Sequence, residues 1–183
     1  MAEVVEVNIV CKVALDLDIV RKFIHKEIDE WYGKEFIEVM DDWEYDNLCE
    51  IASEDIWDCL KKNKIVCITE KTNDGTIGIS IEKKESYFCY TVWFNLERYD
   101  NSVEYDNLCS SVLQFLKKEI NTNLIICSIG KEVIFEYQSD YESLLKKSHG
   151  IDIWVNLDIE LTDIVLEKYE IINIEKFVVL KKK

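Results

Sequence analysis

Proline is absent from the 183 residues, and glycine occurs only five times. The first absence excludes a stiff, Pro-rich spacer between domains. The second excludes a glycine-rich phosphate cradle, because neither Gly-x-x-x-x-Gly-Lys nor Gly-x-Gly-x-x-Gly can be written from these five positions. Histidine occurs twice, as His25 and His149, and no His-Glu-x-x-His is formed. A serine hydrolase elbow, Gly-x-Ser-x-Gly, is also missing. Asp16-x-Asp18 and Asp41-Asp42 lack the spacing of a calcium loop, and no metal or other cofactor is expected. No apolar run approaches the roughly 20 residues of a membrane helix. The opening Met1-Ala2-Glu3-Val4-Val5-Glu6 has no basic stretch of the kind that starts a secretion signal, so a cytoplasmic location is expected.

Cations are scarce as well. Lysine and arginine total 22 against 37 aspartates and glutamates, a formal net charge of -15. Such a chain repels nucleic acids and anionic membranes and attracts basic partners. Hydrophobic residues make up 48% of the chain, enough to bury a sizeable core, and the length fits one domain spanning residues 1–183. The seven cysteines are odd in number and contain no Cys-x-x-Cys. Most lie in apolar runs such as Ile65-Val66-Cys67-Ile68, which reads as reduced core thiols.

Periodicity predicts an α+β fold, a mostly antiparallel sheet with helices packed on it. Val4–Val13 reads as a strand. Asp18 is the expected cap of a helix through Val20, Phe23, Ile24, Ile28 and Trp31. A polar stretch, Gly33 to Tyr45, follows, and Asp46 is expected to open a second helix through Leu48, Ala52, Ile56 and Leu60. Lys64–Glu70 and Thr76–Glu82 form a hairpin around Asn73-Asp74-Gly75. Ser86–Leu96 is apolar or aromatic on both faces, as a central strand should be. Asp106 is the expected cap of a helix through Leu108, Cys109, Val112 and Leu116. Two strands are expected around Gly130, at Leu124–Ile129 and Glu132–Tyr137. A short helix opened by Ser139-Asp140-Tyr141-Glu142 is expected to end near His149-Gly150. Ile151–Leu157 and Ile171–Leu180 read as strands.

The hexapeptide Glu-Tyr-Asp-Asn-Leu-Cys occurs twice, at Glu44–Cys49 and Glu104–Cys109. The same offset pairs Asn63 with Asn123 and Cys67 with Cys127, and Trp93-Phe94-Asn95-Leu96 resembles Trp154-Val155-Asn156-Leu157. The agreement in order favours an internal repeat, 44–97 and 104–158, from an old duplication. The alternative is that Tyr-Asp-Asn-Leu is simply a convenient helix start.

The negative charge is concentrated. Residues Glu27 to Asp58 hold thirteen carboxylates and one cation, Lys34, a net of -12 out of -15. Three of the five tryptophans, Trp31, Trp43 and Trp57, lie in the same segment. Self-stabilised helices usually interleave Glu with Lys, and that pairing is largely missing here. Aromatic anchors in a field of carboxylates form a docking surface for a basic protein. The expected contact residues are Asp41, Asp42, Trp43, Glu44, Tyr45 and Asp46, with Asp29, Glu30 and Glu38 beside them. The bland alternative is tryptophans in the core and acids on solvated outer faces.

In size and composition the chain resembles the immunity proteins that neutralise secreted bacterial toxins, many of them basic nucleases. That resemblance implies a non-enzymatic inhibitor that occludes its partner's active or nucleic-acid-binding site. A chaperone or scaffold for a basic protein is served by the same surface. The order of elements, with Ser143-Leu144-Leu145-Lys146-Lys147-Ser148-His149-Gly150-Ile151, also resembles N-acetyltransferases of the GNAT type. It implies an acyl-CoA enzyme or a descendant without the pyrophosphate loop. The Arg/Gln-x-x-Gly-x-Gly/Ala motif of that family is absent from Arg98–Val103 and Glu104–Cys109.

Overall fold

Strand-forming sequence is read out here by pairing in one sheet. A computed structural model describes residues 4–28, 35–72, 75–95, 102–119, 124–134, 149–155, 163–174 and 177–183. Val4–Cys11 forms β1, in which Val5, Val7, Ile9 and Cys11 alternate onto one face and are fully buried. Leu17–Ile28 forms helix α1. Its cap is Asp16, not Asp18: the Asp16 carboxylate accepts the Asp18 N–H at 2.9 Å, and its carbonyl accepts Ile19 N–H at 3.0 Å. Asp18 lies one residue inside, where its charge still favours the helix N-terminus.

The expected polar stretch contains a strand, β2 (Phe36–Met40), followed by the two-residue strand β3 (Cys49–Glu50). The expected helix from Asp46 does not form. Ile51 and Ala52 are not helical, Ser53–Asp55 makes a single tight turn, and α2 spans only Ile56–Lys61. Asn63 ends that helix in the left-handed region, with φ 59°. β4 (Ile65–Thr72), β5 (Gly75–Lys83) and β6 (Phe88–Asn95) follow as a meander. Asn73 and Asp74 lie outside the described residues; β4 and β5 pair antiparallel as far as Thr72↔Gly75.

Helix α3 covers Ser102–Glu119, starting four residues before the expected Asp106 cap. The two strands expected around Gly130 are one irregular strand, β7 (Leu124–Ile134), whose register against its neighbour shifts at Gly130. The helix expected from Ser139 falls outside the described residues. His149 itself opens strand β8 (His149–Val155). Asp163–Lys168 forms helix α4, and the last expected strand is a hairpin of β9 (Tyr169–Ile174) and β10 (Phe177–Lys182).

The described strands form one sheet in the order β3-β2-β4-β5-β6-β1-β7-β8-β10-β9, and each of these pairings is antiparallel. β1 is internal: Val7 lies opposite Val92 of β6 and Ile129 of β7. One hydrophobic cluster joins Val20 of α1, Ile56 and Leu60 of α2, and Leu108, Val112 and Leu116 of α3 to strand residues such as Val7, Ile79 and Val92. Full burial of each such side chain contributes about 1.5–3 kcal/mol. A smaller cluster on the other face gathers Val10, Cys89, Ile126, Trp154 and Leu180. No helix is long and apolar enough to cross a membrane among the described residues.

The repeated hexapeptide adopts two conformations. Glu104–Cys109 is helical within α3, whereas Glu44–Asn47 forms turns and Cys49 enters β3. Cys127 belongs to the helix-side cluster, whereas Cys67 lies opposite Glu38 and Ser80 on the other face. The two copies thus share sequence without sharing a fold at these positions.

Gly130 is where the sheet tolerates no side chain. A Cβ there lies 1.9 Å from the carbonyl oxygen of Gly150. Gly130→Ala is therefore expected to lower stability by about 1–3 kcal/mol, because backbone must shift to relieve the overlap. Urea unfolding of the wild type and the variant measures it.

Candidate binding surface at the β2–β3 edge

β2 and β3 close one end of the sheet, and the segment joining them, residues 41–48, is exposed throughout. Most of the expected contact residues stand there, and the geometry divides them by role. Asp41 Oδ2 accepts the Asn47 side-chain amide at 2.7 Å, and Oδ1 accepts Lys64 Nζ at 2.5 Å. Asp42 Oδ1 accepts the backbone N–H of Glu44 at 2.9 Å and of Asp46 at 3.4 Å. Asp41 N–H donates to the Asp46 carbonyl at 2.9 Å and closes the loop. Asp41 and Asp42 thus hold the loop from inside, as short acceptors do in Asx turns.

Glu44 and Asp46 are exposed, and neither carboxylate has a hydrogen bond or ion pair among the described residues. Trp43 is 50% exposed and Tyr45 65%. The Trp43 indole N–H donates to Glu82 Oε1 of β5 at 3.0 Å, which fixes its edge and leaves ring surface open. Tyr45 and Asn47 take left-handed backbone conformations, φ 67° and 55°. Asn tolerates that region; a tyrosine there is uncommon and costs on the order of 1 kcal/mol. Leu48 adds an exposed apolar side chain beside them.

Glu38 lies one strand inward, half-buried on β2, opposite Glu50 of β3 and Cys67 of β4. Asp29 and Glu30 lie outside the described residues, as do Trp31 and Tyr32. Trp57 is exposed on α2, with its ring edge-on to Phe88 at 6.3 Å between centroids. Cys49 is the exposed thiol; Cys11, Cys89, Cys109 and Cys127 are buried, and all seven cysteines are free. Burial pushes the Cys11 and Cys109 thiols up to about 12, so they stay protonated and unreactive.

Lysines from elsewhere complete the site. Lys64 reaches Asp41, and Lys84 pairs with Glu82, the acceptor of the Trp43 indole. A cleft of about 320 Å³ opens next to them, lined by Asn63, Lys64, Ile65, Glu82, Lys83, Lys84 and Glu85. Counting carboxylates along residues 27–58 misses these residues, because they come from the start of β4 and the end of β5. Only the antiparallel pairing of β2, β4 and β5 brings them alongside. The surface is therefore acidic at its crest, with Glu44 and Asp46, and charge-balanced at its base. Among the described residues no cluster of three or more His, Cys, Asp or Glu side chains is arranged to hold a metal ion.

Searches against protein-family models, curated proteins and solved structures return no match for this chain.

The hydrogen bond from Lys64, and then that from Asn47, hold the Asp41 carboxyl below its ordinary value of 3.8. A depressed carboxylate contributes order that is complete above the unfolded value and lost as pH falls through the folded one. Exposed pairs of this kind contribute little to global stability, so the effect is local. Acidification below the depressed value is expected to release the loop: amide exchange of Asp41 and Tyr45 accelerates while β1 amides stay protected. Hydrogen exchange resolved by residue measures this, and Asp41→Ala should produce the same release at neutral pH.

Proposed function

We propose that this chain is a non-enzymatic, acidic protein-binding inhibitor that acts in the cytoplasm by occluding a basic partner, in the manner of a toxin-neutralising immunity protein. The observation that supports this reading is the braced loop 41–48, which offers Trp43 and Tyr45 with the carboxylates of Glu44 and Asp46 and is held by hydrogen bonds within the loop and to Lys64 and Glu82. Preorganised aromatic anchors lose little entropy on binding. Carboxylates unengaged within the chain can take bidentate arginine contacts, and the surrounding charge speeds encounter. An interface of this chemistry covers the lysines and arginines with which a nuclease grips its nucleic acid. Positive φ at Tyr45 fits the same reading, because strain of this kind persists where it aims a side chain outward.

Two measurements test it. The chain is immobilised and challenged with a set of basic ribonucleases and deoxyribonucleases across a salt series. At least one is expected to bind and to lose its nuclease activity, with affinity falling as salt rises. Glu44→Gln with Asp46→Asn should weaken that binding by about tenfold or more and flatten its salt dependence. Affinity that ignores both changes, or no binding by any member, overturns the assignment. Tyr45→Gly is expected to keep or raise thermal stability by up to about 1 kcal/mol, since glycine relieves the left-handed backbone, while weakening the same binding. An acyl-CoA enzyme predicts otherwise: millimolar acetyl-CoA should then raise the melting temperature, and no rise is expected here.

A further inference from the structure

The two ends of the sheet are built differently. β3, at one end, is two residues long and has acidic neighbours. β9, at the other end, runs for six residues, Tyr169-Glu170-Ile171-Ile172-Asn173-Ile174, and pairs with β10 on one side only. In an antiparallel ladder every second residue of an edge strand aims both its N–H and its C=O away from its neighbour. Half of the β9 backbone groups therefore face outward, and among the described residues no other strand or loop hydrogen-bonds to them. Monomeric proteins blunt such an edge with lysine, proline or a bulge. β9 has none of these. The chain contains no proline, the register with β10 is unbroken from Tyr169↔Lys182 to Ile174↔Phe177, and the one charged residue of the strand is Glu170.

The side chains leave apolar surface at this rim on both faces. Ile172 and Ile174 are half-buried against the helix-side cluster, and Tyr169 and Ile171 are half-buried against the smaller cluster on the other face. Leu166 of α4, shortly before the strand, is 45% exposed. Open backbone groups between two apolar rims are completed by another extended strand. Charge decides whose strand it is. The chain carries -15, so two copies repel over most of their surface. Residues 163–183, however, contain five lysines against four carboxylates, a net of +1. Lys181 and Lys182 also stand beside Asp106 and Asp152, at 3.5 and 4.0 Å, so this end is neutralised locally. It is the end at which a second copy meets the least repulsion, whereas a strongly basic strand is drawn to the acidic loop instead.

We propose that β9 is the interface of a homodimer, in which the β9 strands of two copies pair antiparallel about a two-fold axis perpendicular to the sheet and join the two sheets into one. An antiparallel edge is self-complementary, as an isologous interface requires. An axis through Ile172 sets each Ile172 opposite its copy and each Glu170 opposite Ile174, which keeps the two Glu170 carboxylates apart. The interface is independent of the acidic loop, which lies at the far end of the sheet and stays open in each copy.

Sedimentation equilibrium of the full chain at about 100 μM is expected to give twice the 21.6 kDa of one chain. Raising salt from about 0.05 to about 0.5 M should hold or strengthen the dimer, because it screens only the residual repulsion. Ile171→Lys puts a charge on the open edge and should weaken self-association by about tenfold or more while the far-UV circular dichroism keeps its wild-type form. Hydrogen exchange reads the same edge in the unaltered chain, and decides the matter if that variant does not fold. Amides of Tyr169–Ile174 should exchange more slowly as concentration rises, while those of Cys49 and Glu50 do not change. Glu44→Gln with Asp46→Asn should leave the dimer intact. A monomer at every concentration, β9 exchange indifferent to concentration, or an undiminished dimer of folded Ile171→Lys overturns the proposal. A dimer dissolved by salt, or by Glu44→Gln with Asp46→Asn, overturns it too, because the contact then joins the acidic loop of one copy to lysines of the other.

Discussion

The structure depends on β1 being paired on both edges. Val4–Cys11 lies between β6 and β7, so the first strand of the chain is the seam that joins the strands on its two sides. Its alternate residues Val5, Val7 and Ile9 are fully buried against helices that come from later in the chain. These contacts are far apart in sequence, and closing them costs chain entropy before any packing is gained. What compensates is a run of β-branched residues on both sides of the seam, which suits a pleated surface buried on both faces. With β1 in place, the meander of β4, β5 and β6 and the strands β7, β8 and β10 have a common plane.

That plane separates two chemistries. At the β3 end, carboxylates and aromatic rings crown a loop whose internal hydrogen bonds come from Asp41 and Asp42. A short edge strand with acidic neighbours is also a poor template for pairing with another chain, which guards this end against edge-to-edge association. In the middle of the sheet, Asn8, Thr91 and Ser128 line up by register, and the buried Ser128 hydroxyl has no hydrogen-bond partner. Neither feature contributes much to global stability. Exposed ion pairs are weak, and unmatched buried hydroxyls are costly.

The hexapeptide Glu-Tyr-Asp-Asn-Leu-Cys shows the limit of local reading. In α3 its Leu108 and Cys109 meet the core, and a continuing apolar stripe, Val112 and Leu116, carries the helix on for 18 residues. At Glu44–Cys49 the following residues, Glu50 to Asp55, offer no such stripe, and the chain instead pairs Cys49 with Val39. Helix propensity is a weak preference that tertiary contact overrides. The same cause explains β2: Phe36-Ile37-Glu38-Val39-Met40 reads as an isolated fragment within an acidic stretch, and it becomes a strand because β4 offers it an edge. Asp16 replaces Asp18 as the cap of α1 for a smaller reason, since two aspartates two residues apart both qualify and backbone entry selects one.

The amino-acid sequence by itself determined a sheet-rich α+β fold, the strands β1, β4, β5 and β6, the helix around Leu108 to Leu116, and a crowding of negative charge with tryptophan between Glu27 and Asp58. Those properties are local: alternation with period two, apolar spacing of three and four, and a count of charges along the chain. Tertiary structure alone decided that Lys64 and Glu82 brace the acidic loop, and that Asp41 is engaged by Lys64 while the Glu44 carboxylate has no partner among the described residues. It alone brought Asn8, Thr91 and Ser128 into one row beside Trp93. Strand register is a relation between distant segments, and no window of neighbouring residues contains it.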